Sequence, residues 1–153
     1  MDIYSLINKP LFSGLSSNAH RYSPRASIDT GGIVHDANYL KFVERARAEW
    51  LRAAGLEQQR LLDEFGLQFV VAHIECDYRL PARRDDLVEI GLRLARAARV
   101  SIAFEQAARR ADAILATAKV KVACVDSRRL VPMAMPTTVL NAFRTLPGFS
   151  ALQ

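Results

Sequence analysis

Nowhere in these 153 residues do about eighteen apolar side chains run together, so no segment is suited to cross a bilayer as a helix. The opening, M-D-I-Y-S-L-I-N-K-P-L-F-S-G-L-S-S, has no basic stretch leading into an unbroken apolar run; it does not read as a secretory signal, and the expected location is cytoplasmic. Cysteine is scarce. Cys76 and Cys124 both sit in strand-like sequence, where two thiols of a cytoplasmic chain are expected to be buried and unpaired. Three histidines and two cysteines spread along the chain make no metal-ligand cluster, so neither a metal nor another cofactor is expected. Nucleic acid is not an expected partner either. The formal charge is +5, from 21 basic against 16 acidic residues, but the arginines are mixed with acids and no basic stripe carries interleaved aromatics. Internal repeats and low-complexity tracts are missing as well.

What the chain does have is apolar surface: 50% of its residues are hydrophobic, enough at this length for one domain with one core. Residues 1–18, with Pro10, Gly14 and a serine cluster, favour neither strand nor helix and are expected to form a partly ordered extension ahead of a single domain over 19–153. The rest is organised around Ile28 to Arg52, I-D-T-G-G-I-V-H-D-A-N-Y-L-K-F-V-E-R-A-R-A-E-W-L-R. From Asp36 onward Tyr39, Val43, Ala46, Trp50 and Ala54 recur at spacings of three and four, and Leu40 and Leu51 widen the stripe, which predicts a long helix with one face for burial. Lys41, Glu44, Arg45, Arg47, Glu49 and Arg52 read as its solvated face, with ion pairs at helical spacing. Gly55 is the expected cap, and Glu57 to Phe65 reads as a short second helix closed by Gly66.

Four alternating runs come next, each a half-buried strand by its period of two. Their inward residues are expected to be Val70, Ala72, Ile74, Cys76, Tyr78 and Leu80; then Val88, Ile90, Leu92 and Leu94; then Val100, Ile102 and Phe104; then the even positions from Ile114 to Cys124, with Leu115 and Thr117 outward. His20 to Ile28 carries a weaker strand signal, interrupted by Pro24. Thr137 to Leu146 reads as a terminal helix with Thr137 as its cap. Short links favour antiparallel hairpins, and the one long apolar-striped helix is the available cover for the sheet's inner face. The expected class is α+β: an antiparallel sheet of about five strands wrapped around one long helix.

Asp29 leads the candidates for chemistry. A carboxylate in a glycine turn, just ahead of a helix whose first N–H groups lack internal partners, places a nucleophile or general base next to donors that can stabilise a developing oxyanion. An ordinary turn aspartate beside Gly31 and Gly32 is the plainer alternative. Asp36 reads as the helix N-cap, its side chain held by the first-turn N–H groups. Asp85 and Asp86 read as a polar turn, and Arg128 and Arg129 either as a solvated turn or as contacts for phosphates.

The run D-T-x-G-I-V-x-x-A-N-Y-L-K-F-x-E-R-A-R-x-E-W-L-R, continued by Y-R-L-P-A-R-R-D-D-L-V-E-I from Tyr78 and A-K-V-K-V-A-C-V-D before Ser127, resembles the hotdog-fold acyl-CoA thioesterases, the group associated with the Tol-Pal envelope system and related to the 4-hydroxybenzoyl-CoA thioesterases. The resemblance implies a hotdog domain over 19–153 that hydrolyses an acyl-CoA to a free acid and coenzyme A, as a homodimer or homotetramer with the site between subunits. Asp29 falls on the family's catalytic aspartate. Gly32 and Val34 then border the thioester, Tyr39 lies near the substrate, the backbone N–H of Asp36 is an oxyanion donor, and Arg128 and Arg129 meet the coenzyme's phosphates. Three departures stand out: the family's histidine position holds Asp36, with His35 one place earlier; Ser27 replaces the first aspartate of a D-T-D run; and Arg25 stands where tyrosine is common. The alternative is a non-catalytic hotdog domain that binds acyl-CoA or an acyl-carrier chain as sensor or scaffold. The D-T-G of aspartic proteases is also present, but here it runs into a long amphipathic helix instead of strands and a flap, which excludes that class.

Overall fold

The stripe of α1 (Asp36–Ala53) buries Tyr39, Phe42, Val43, Ala46, Trp50 and Leu51. These positions recur at three and four and so line one side of a helix of 3.6 residues per turn. The computed structural model describes residues 20–22, 36–83 and 86–145, excepting the side chains of 20–22 and 36–38. Two features of the stripe differ from the sequence reading. Phe42 is buried while Leu40 is only half-buried, and Arg47, expected on the solvated face, is buried too.

Gly55 ends α1 in the left-handed region, with φ 75°. Its N–H donates to the carbonyl of Arg52 at 3.0 Å and that of Leu56 donates to Leu51 at 2.8 Å, the paired bonds of a Schellman cap, with Leu51 and Leu56 both buried beneath it. α2 (Gln58–Phe65) also ends on a left-handed glycine, but with the simpler single bond: Gly66, at φ 65°, donates to the carbonyl of Leu62 four residues back.

Five strands adopt the expected antiparallel plan: β1 (His20–Tyr22), β2 (Leu67–Tyr78), β3 (Val88–Ala97), β4 (Ser101–Arg110) and β5 (Ala113–Asp126), in the order β1-β3-β4-β5-β2. β1 pairs antiparallel with β3, His20 opposite Ile90 and Tyr22 opposite Val88; residues 23–28, also expected in that strand, lie outside the described residues. β3 buries Val88, Ile90, Leu92 and Leu94 as its alternation predicts. β4 buries Ile102 and Phe104 but runs on to Arg110, burying Gln106, Ala107 and Ala108, while Val100 stays exposed. β5 buries its even positions from Ala116 to Cys124 and also Leu115 and Thr117, so over 115–118 both faces of the strand are covered and burial no longer follows the alternation. β2 departs most. Leu67 and Phe69 are buried, Val70 and Ala72 are exposed, and only Ile74 and Cys76 of the expected inward set are half-buried.

α3 (Thr137–Arg144) begins one place earlier than a Thr137 cap implies. Pro136 is the residue before the helix, its carbonyl accepting from the N–H of Leu140 at 3.0 Å, and Thr137 is the first helical residue with no side-chain cap. Proline fits there because its fixed φ suits a helix entrance. Leu146 lies outside the described residues.

The described residues fall into two compact units. In the first (20–22, 36–47, 75–83, 86–92 and 105–118), Tyr39, Phe42, Val43 and Ala46 of α1 share a core with Ala82, Val88, Ile90, Ala108, Leu115 and Ala116. The second (48–74, 93–104 and 119–145) is built on aromatics: Trp50 meets Phe104 edge-on at 5.5 Å and stacks near Phe143 at 6.4 Å, and Phe69 meets Phe143 edge-on at 5.8 Å. In that unit a hairpin loop comes after β5. The carbonyl of Asp126 accepts from Leu130, and its N–H donates to the carbonyl of Val131. Leu130 takes the left-handed conformation, φ 55°, which costs a residue with a Cβ about 1–2 kcal/mol.

Candidate functional site

Asp29, Gly32, Val34 and His35 lie outside the described residues, so the structure bears on the helix that begins just after them. α1 starts at Asp36, which makes Asp36 the first helical residue and not the residue before it; its side chain is also outside the description. A helix end of this kind offers first-turn N–H groups without intrahelical acceptors and the positive end of the helix dipole. The D-T-G-G segment therefore leads directly into a set of backbone donors suited to a growing negative charge.

One turn in, Tyr39 is buried, and its hydroxyl oxygen accepts the N–H of Ala82 at 2.9 Å. Its ring meets Phe42 at 6.2 Å and Tyr78 at 5.8 Å, both edge-on. The tyrosine thus ties the first turns of α1 to the segment after β2, and it anchors the helix end that carries the donors.

Below it lies a polar chain that the sequence reading missed. Arg47 Nη1 donates to Gln106 Oε1 at 2.8 Å, and Gln106 Nε2 donates to the carbonyl of Val43 at 2.8 Å. Both side chains are buried, Gln106 completely. Burial pulls the Arg47 guanidinium below its ordinary value, and Glu44 opposes that shift. A signal for Gln106 was present: continuing the alternation of Ile102 and Phe104 puts it on the inner face of β4. Gln106 uses its acceptor on the helix side chain and its donor on the helix backbone, fixing the rotation of α1 over the sheet.

Removing it should be costly. Gln106→Leu keeps the volume but leaves the guanidinium and the Val43 carbonyl without this partner, a loss of roughly 2 kcal/mol of stability in urea unfolding. A shift in unfolding free energy below about 0.5 kcal/mol would show that water replaces the amide.

The polar turn before β3 is built on Asp86. It accepts the N–H of Arg83 at 2.7 Å and pairs with Arg110 Nη1 at 2.7 Å. Partial burial raises its pKa, but the Arg83 N–H and the Arg110 guanidinium outweigh that and hold the carboxyl below its usual range. Asp85 lies outside the described residues. Glu89 and Arg109 make a second half-buried pair at 3.1 Å.

Arg128 and Arg129 are exposed on the loop after β5, in the second unit. Their backbone N–H groups both donate to Asp126 Oδ1 at 2.9 Å and hold that carboxyl below its usual range, while their side chains reach solvent. Burial pushes the Cys124 thiol up to about 11, which keeps it protonated and unreactive. Among the described residues, no group of three or more His, Cys, Asp or Glu side chains could hold a metal ion, and no helix is long and apolar enough to cross a membrane.

Residues 31–117 match the sequence profile of the thioesterase superfamily. The acyl-CoA thioesterase YbgC of Haemophilus influenzae is 43% identical over 118 residues, which cover 77% of this chain and 87% of that protein. A probable thioesterase from Bartonella henselae superposes with a TM-score of 0.70 at 33% identity, over 77% of this chain and 96% of its own. The 1,4-dihydroxy-2-naphthoyl-CoA thioesterase of Synechocystis superposes with a TM-score of 0.76 over 84% of this chain and 96% of its own; at 19% identity it shows the fold alone.

Proposed function

This chain belongs to the thioesterase superfamily, and from that premise we propose that it hydrolyses an acyl-CoA thioester to a free acid and coenzyme A. The observation that supports this most is the start of α1 at Asp36, a few residues after Asp29, so that a carboxylate and N–H groups without intrahelical acceptors belong to one short stretch of chain. Asp29 acts as nucleophile or as general base toward water. An oxygen adds to the thioester carbonyl carbon, the carbonyl oxygen takes up negative charge against the backbone N–H groups of Val34 to Asp36, and collapse breaks the C–S bond. The thiolate of coenzyme A leaves and gains a proton. Where Asp29 attacks directly, water then hydrolyses the acyl-aspartate.

Gly32 is assigned as room for the thioester and His35 as a candidate for proton transfer, and the anchored Tyr39 sets the position of the helix end. Arg128 and Arg129 are the proposed contacts for the coenzyme's phosphates, since exposed guanidinium groups pair with phosphate oxygens through parallel N–H donors. The proposed assembly is a homodimer or homotetramer with the site between subunits. β2 ends the strand order, and Val70, Val71 and Tyr78 are exposed along it, a strand edge suited to pairing with a second copy.

The experiment is release of free thiol from a panel of aliphatic and aromatic acyl-CoA esters by purified protein, read together with light scattering. Turnover above the uncatalysed rate with at least one ester is expected, from a species at least twice the 17.0 kDa chain mass. No turnover across the panel overturns the activity; turnover by a 17.0 kDa species overturns the shared site alone.

A further inference from the structure

At one end of the second unit, three aliphatic side chains stand in solvent: Val100 at 41%, Leu130 at 64% and Val131 at 42% exposure. They belong to one place. The carbonyl of Val100 accepts the N–H of Cys124 at 2.8 Å, two residues before the loop, and the chain leaving the loop returns along the same edge, with Met133 donating to Cys124 and Met135 to Arg99. The β3–β4 turn and the loop after β5 are therefore neighbouring tips.

Leu130 is the unusual member. It holds the left-handed conformation that glycine adopts without strain, and it does so with most of its side chain in water. The fold gains neither backbone ease nor burial from leucine at this position. A side chain kept in that state is suited to being buried by something else.

The surroundings specify the charge of that partner. Arg96 and Arg99 are exposed on the β3–β4 side, and Arg128 and Arg129 on the loop. The one acid in these two tips, Asp126, is already engaged with the N–H groups of Arg128 and Arg129. Short aliphatic side chains framed by arginines match the boundary of an anionic bilayer, where phosphates lie above acyl chains. We propose that the tips carrying Val100, Leu130 and Val131 dock this protein peripherally on anionic lipid surfaces, the aliphatic residues entering the headgroup boundary and Arg96 and Arg99 pairing with lipid phosphates.

The test is co-sedimentation of the full chain with vesicles of phosphatidylcholine alone or with about one-third phosphatidylglycerol. Binding is expected to the anionic vesicles, at least about tenfold over the neutral ones, and to be lost near 0.5 M salt, roughly where screening removes surface attraction. Leu130→Asp should abolish it, while Leu130→Gly, which relieves the backbone and removes only the side chain, should weaken it with the melting temperature kept or raised. Arg96→Gln and Arg99→Gln should each reduce it about fivefold. None of these four variants should alter turnover of a soluble acyl-CoA.

Equal binding to neutral and anionic vesicles, or none to either, overturns the proposal. So does a fall in the light-scattering mass of Leu130→Asp, which would make this end a contact between copies. Binding to soluble polyglutamate but not to vesicles would assign it to an acidic protein instead.

Discussion

Asp29→Asn should fold normally and lose about 100-fold or more of its turnover on an acyl-CoA, equivalent to roughly 2.7 kcal/mol of transition-state stabilisation. The amide occupies the same space as the carboxylate but can neither attack the carbonyl nor take a proton from water. The loss should appear in kcat, with KM little changed, because the group acts on the reacting atoms and not on the coenzyme. Two neighbours give the comparison. Asp36 stands at the first position of α1, where its charge favours the helix dipole, so Asp36→Ser should cost less than about 1 kcal/mol and keep most of the activity. His35→Ala should do the same unless the histidine, one place from the family's position, has taken over proton transfer. A folded Asp29→Asn protein with near-normal turnover removes Asp29 from the chemistry.

Phe143→Ala should be the most destabilising single change in the second unit, by about 3–5 kcal/mol, with a melting temperature lowered by roughly 10 °C. Phe143 is completely buried and lies between Trp50 of α1 and Phe69 of β2. Truncation leaves a cavity bounded by two large rings, which cannot close over it as aliphatic side chains do by rotamer changes. Phe143→Leu, which fills much of that space, should recover more than half of the loss. Thermal unfolding of the three proteins decides it: if alanine lowers the midpoint by less than about 2 °C, α3 contributes little to the core.

The elements that could be read from sequence were those whose environment is one-sided. α1 has one buried face over eighteen residues, so a 3.6-residue period marks it, and Gly55 and Gly66 mark where the two helices stop because only a left-handed cap fits there. β3 likewise alternates cleanly. Where both faces are covered, as at Leu115 and Thr117 of β5, alternation no longer reports the inside. At the rim of the sheet the opposite happens: β2 has apolar residues at both Val70 and Val71, and its burial changes phase between Phe69 and Ile74, which a strict period of two cannot represent. Arg47 was misplaced for a chemical reason. Charge is a good sign of solvent except where a buried amide such as Gln106 waits across a gap of 59 residues, and spacing along one element says nothing of that partner. Asp29, Gly32, Val34 and His35 were legible by resemblance and by the chemistry of a carboxylate before a helix, not by any pattern of burial.

β1 and β2, the strands made first, take the rims of the sheet, while β3, β4 and β5, made last, fill its middle. Synthesis runs from the amino terminus, so α1 leaves the ribosome with nothing to lie on. Tyr39, Phe42, Val43 and Ala46 share their core with Val88, Ile90, Ala108, Leu115 and Ala116, and the last of these appear only as β5 emerges. Until then the nascent chain carries a bare apolar helix and an open strand edge, which makes it a natural client for a holding chaperone. A stop codon ahead of β5 therefore yields an adhesive fragment and not a smaller working protein.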